Sequence, residues 1–94
     1  MSHVKFGLMT LDDNERVAAT VLSNCGLELR KYRSFDGLWF DVIGAEEFRV
    51  LSTPRFERVK EFALALATDQ APRSVKNAVR RALAEQRRKA RFGR

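Results

Sequence analysis

Leu11, Val17, Val21, Leu22 and Cys25 recur at helical spacing and fall on one face of a helix. Thr10 stands before them as a candidate N-cap, Asp12, Asp13 and Glu15 suit the positive end of the helix dipole, and Asn24 to Gly26 supplies a stop. Upstream, the short apolar run "HVKFGLM" predicts a strand from about Val4 to Met9. Downstream the period changes from helical to alternating. In "LELRKYRSFDGLWFDVI", Asp36-Gly37 separates two aromatic-rich runs and predicts a hairpin with those two residues at the centre of a type I′ turn. That turn pairs Phe35 with Leu38, Arg33 with Phe40 and Tyr32 with Asp41. One face then carries Leu29, Phe35, Leu38, Phe40 and Val42 as core, and the other Arg30, Tyr32, Trp39, Asp41 and Ile43.

After a turn at Gly44-Ala45, "GAEEFRVLS" predicts a third strand, with a short helix as the alternative. Ser52 or Thr53 followed by Pro54 marks the start of a second helix, whose buried stripe is Phe56, Val59, Phe62, Ala63 and Leu66. "TDQAP" interrupts it, and a last helix is predicted from about Arg73 to Arg91. The order is β-α-β-β-β-α-α. That makes a single small α+β domain over residues 1–94, with the antiparallel sheet and first helix in 1–51 and a helical pair in 52–94.

Projected at about 100° per residue, the last helix is two-faced. Val75, Ala78, Val79, Ala82, Leu83 and Ala90 share one side. Arg73, Lys76, Asn77, Arg80, Arg81, Arg87, Arg88 and Arg91 share the other, and Lys89 strays onto the apolar side. Charge sharpens this picture. Residues 73–94 carry nine basic side chains, seven of them arginine, against the single acid Glu85. The chain has a net charge of +6, yet residues 1–72 are mildly acidic, so the whole excess sits in the last quarter. Two or three cations would satisfy a helix C-terminus, and an ordinary solvated face alternates signs. A continuous arginine arc instead fits a polyanion, since guanidinium groups match phosphate oxygens bidentately. Asn77, inside the arc, has the amide geometry that pairs with adenine. The two helices joined by "TDQAP" resemble a helix-turn-helix with "RSVKNAVRRAL" as the recognition helix, although the turn lacks the usual glycine.

The remaining composition narrows the function classes. At 94 residues there is little material for a deep active-site cleft. His3 is the sole histidine and Cys25 the sole cysteine, so no catalytic triad, metal cluster or internal disulfide is expected, and no cofactor. No apolar run has the length of a membrane span, and the small apolar residues of the last helix are poor lipid anchors, so a cytoplasmic protein without membrane attachment is expected. The sequence therefore points to a non-enzymatic regulatory or accessory protein that binds DNA or RNA through its last helix. The alternative is an inhibitor or adaptor gripping an acidic protein surface, with Tyr32 and Trp39 as aromatic anchors; either could form a homo-oligomer.

Overall fold

Asp12, two residues beyond the expected Thr10, caps the first helix. The computed structural model describes residues 8–92, the side chain of Phe92 excepted. In it α1 spans Asp13–Asn24, and Asp12 and Glu15 form a reciprocal capping box. The Glu15 N–H donates to Asp12 Oδ1 at 2.8 Å, and the Asp12 N–H donates to Glu15 Oε1 at 2.9 Å. Thr10 has no glutamate three residues on to return such a bond, which is why the cap falls at Asp12. Leu22 is buried and Leu11, Val21 and Cys25 pack against the core as expected, but Val17 is 67% exposed and Ala18 is buried instead. The helix closes as Gly26 takes a φ of 80°, with the Leu27 N–H donating back to the Leu22 carbonyl at 2.9 Å and both leucines buried.

Three antiparallel strands follow in the order β1 (Glu28–Ser34), β2 (Gly37–Ile43) and β3 (Arg49–Thr53). The hairpin forms, but with a different register. Ser34 pairs with Gly37, Arg33 with Leu38, Tyr32 with Trp39 and Lys31 with Phe40. Phe35 and Asp36 are therefore the central turn residues, and only Gly37, at φ 112°, has positive φ. This is the alternative use of an Asp-Gly pair, in which glycine follows the turn proper instead of sitting inside it. The pairing has slipped by two residues, so each strand residue keeps its predicted face. Phe35 is lost to the turn and stands 82% exposed.

The third strand begins only at Arg49. Ala45–Glu47 before it forms a 3-10 turn in which Glu46 and Glu47 have φ of 55° and 61°. Both alternatives for this stretch are thus realised in succession. The strand continues through Ser52 and Thr53, which were expected to cap the next helix. Pro54 then lies outside α2 (Phe56–Ala67), whose N-cap is Arg55. The α2 stripe is as expected, with Val59 and Ala63 buried and Phe56, Phe62 and Leu66 packed against the core. Leu29, Phe40 and Val42 meet this stripe and that of α1 to make the core. Each such side chain, once fully buried, contributes roughly 1.5–3 kcal/mol.

The opposite sheet face is also closed. Tyr32 and Asp41 are 0% exposed, and Asp41 Oδ1 accepts bonds from Ser52 Oγ at 2.7 Å and from the Tyr32 hydroxyl at 3.3 Å. Arg49 Nε lies 3.5 Å from Asp41 Oδ2 and supplies the opposite charge that a buried carboxylate requires. At the sheet edge Leu8 bridges to Tyr32, and the Met9 N–H donates to the Lys31 carbonyl at 2.7 Å. The remainder of the strand expected over 4–9, and His3, lie outside the described residues.

Candidate nucleic-acid interface

The link between α2 and α3 (Arg73–Phe92) solves its missing-glycine problem with Asp69. This residue takes a φ of 58°, and the Gln70 N–H donates to the Ala65 carbonyl at 2.7 Å, the bond that ends a helix through a left-handed residue. Aspartate tolerates that conformation better than most side chains do. The likeness to a helix-turn-helix goes no further than this connection. The seat of α3 is the α1–β1 junction and the 45–47 turn.

Two contacts fix that seat. Gly26 lies so close to α3 that a Cβ built on it would stand 3.1 Å from the Leu83 nitrogen and 3.2 Å from the Ala82 carbonyl carbon. Glycine is thus required here both by its backbone angle and by the approach of the helix. Farther along, the Glu85 carboxylate accepts the Glu46 N–H, with oxygens at 3.1 and 3.3 Å. The one acid of α3 is therefore engaged by the 45–47 turn. Ala82 is 1% exposed, and Val75, Ala78, Val79 and Leu83 are half-buried, so the apolar side docks as its spacing predicts. Ala90 does not. Every residue from Gln86 to Arg91 is exposed, so the last turns run past the body that the apolar side would need.

All eight residues of the predicted basic side, Arg73, Lys76, Asn77, Arg80, Arg81, Arg87, Arg88 and Arg91, are exposed. From Arg73 to Arg91 the helix rises about 27 Å. Little within the described residues neutralises this ridge. Lys76 pairs with Asp69 at 3.2 Å, a surface contact of small worth, and an Arg80 N–H donates to Asn77 Oδ1 at 3.3 Å. Arg73, Lys76, Asn77 and Arg80 line a shallow concavity on the first turns. No acid stands in that first turn, so two cations, Arg73 and Lys76, stand at the positive end of the helix dipole.

The two aromatic candidates fare differently. Tyr32 cannot be a partner anchor, because it is wholly buried beneath the sheet face on which period-two alternation placed it. That face is covered, so alternation marked a second interior and not a surface. Burial pushes the Tyr32 phenol above its ordinary value, and the nearby negative charge of Asp41 pushes the same way. Trp39 is half-buried, and its Nε1–H donates to Asp36 Oδ1 at 3.2 Å, which ties it to the hairpin turn.

One aromatic the sequence reading passed over lies beside the ridge. Phe48 is 60% exposed and shares a groove with Arg49, Arg81, Ala84 and Arg88. The turn that carries it is braced from both sides. Glu85 holds the Glu46 N–H, and Arg30 holds the Glu47 carboxylate at 2.9 and 3.1 Å while also pairing with Glu28 at 2.9 Å. Among the described residues no helix is long and apolar enough to cross a membrane, and no group of His, Cys, Asp and Glu could hold a metal ion. No protein-family model, curated protein or solved structure matches the chain.

Proposed function

We propose that the protein binds DNA or RNA through the basic ridge of α3. The observation that carries this reading is the exposed basic face of α3. Arg73, Lys76, Asn77, Arg80, Arg81, Arg87, Arg88 and Arg91 are all exposed on one side with no acid of α3 among them, while the other side is anchored by buried Ala82. Keeping so many like charges on neighbouring turns costs helix stability, and a phosphate backbone removes that repulsion. Arginines supply bidentate contacts to phosphate oxygens, and Asn77 lies among them with an amide able to meet a base edge. Residues 1–72 are mildly acidic and offer the same backbone no net attraction, which leaves α3 as the element that docks. The role is regulatory or accessory and not catalytic, and a cytoplasmic location accords with it.

A gel-shift panel with duplex DNA, single strands and structured RNA at low salt tests this directly. Retention of at least one of these, lost on replacing Arg80 and Arg87 by Gln, is the expected result. A chain retained by none of them would assign the arginines to an acidic protein partner or to solvent.

A further inference from the structure

Phe48, Arg81 and Arg88 come from segments more than thirty residues apart, yet they line one open groove of about 960 Å³. Ala84, a small exposed residue between the two arginines along α3, also lines it. Arg81 and Arg88 are seven residues apart on the same face, about 10 Å along the helix axis. Neither makes an ion pair or hydrogen bond with another described residue. Phe48 lines the same groove and is 60% exposed, where a hydrophobic side chain of that size gains nothing from water.

Resting on the nucleic-acid reading of the ridge, we infer that this groove receives an unpaired base of a single strand. The base stacks on the Phe48 ring, and Arg81 and Arg88 hold the phosphates on either side of it. An aromatic beside a basic track is the arrangement by which proteins hold single-stranded DNA or RNA, because every base has a π-face while only the backbone is charged. The acids that share the groove set the orientation. The Glu47 carboxylate is paired with Arg30, but Glu46, exposed and also lining the groove, repels phosphate. The backbone is thereby kept on the α3 side and the neutral base is left for Phe48. A duplex, with its bases stacked inside, meets the ridge but offers nothing to the ring. The turn is built to keep Phe48 in place, since Glu46 and Glu47 hold left-handed backbone angles that Glu85 and Arg30 secure.

The test is fluorescence anisotropy on four labelled probes: single-stranded DNA, single-stranded RNA, a strand of equal length carrying abasic sites, and duplex DNA. Phe48→Ala, with its circular dichroism checked against the parent, should weaken binding to the base-bearing single strands by about 5- to 150-fold, the equivalent of ~1–3 kcal/mol per stacked base. Binding to the abasic strand and to the duplex should stay within about twofold of the parent, and Phe48→Trp should restore the single-strand affinity. The relative loss on DNA and RNA identifies the strand chemistry. Equal losses on all four probes, or no loss on the single strands, would overturn the stacked base while leaving the ridge intact. A parent protein that binds none of the four would overturn both.

Discussion

The Tyr32 hydroxyl is the one phenol in the chain, so its ionisation can be followed without a competing signal. Burial and Asp41 raise its pKa above the ordinary value of 10.0, so the folded state holds the proton more tightly than the unfolded chain does. The stabilisation from this group is complete below that value and fades as pH rises through the folded one. Tyrosinate absorbance should therefore appear at higher pH in the native protein than in urea, and coincident titrations would mean the ring is accessible. Gly37 gives a second check at this scale. With φ at 112° and nothing within 4 Å of a built Cβ, any cost of substitution there is backbone strain alone. Gly37→Val should destabilise by roughly 1–3 kcal/mol and Gly37→Asn by less, measured by urea denaturation. An unchanged midpoint for the valine variant would contradict the observed turn.

At the scale of elements, Gly26 and Gly37 make a controlled pair. Both have positive φ, but only Gly26 faces the backbone of α3 at 3.1–3.2 Å. Gly26→Ala should cost roughly 1–3 kcal/mol more than Gly37→Ala in thermal melts, because it adds overpacking to strain. Equal costs would mean α3 is not seated there. The helices themselves were legible: α2 and α3 carry 3.6-residue periodicity through the part that meets the body, and their limits lie within a few residues of expectation. The errors fell where two local solutions share one sequence signal. Asp-Gly fits a turn centred on itself or one residue earlier, and the two differ only in Phe35. Thr10 and Asp12 are both good caps, and Glu15 decides between them. Val17 has the bulk of a core residue, but α1 buries the smaller Ala18 on the side toward the core. The buried Tyr32 shows the limit of alternation, which identifies faces but not what covers them.

At the scale of the whole molecule, charge is segregated in sequence, and the basic ridge was readable from residue numbers alone. Its eight members needed only helical periodicity to be placed together. Phe48 was not readable, because it reaches the ridge through the Glu46–Glu85 contact, a pairing 39 residues apart that no local pattern encodes. The central claim is that the ridge tracks a phosphate backbone, and the salt dependence of duplex binding tests it most directly. With about five to seven phosphate contacts, log K against log salt should fall with a slope of about −4.5 to −6. Replacing Arg80 and Arg87 together by Gln, both exposed and away from the buried Ala82 side, should flatten that slope by about 1.8 with the fold unchanged. A shallow slope in the parent, or a steep one untouched by the double replacement, would contradict the account.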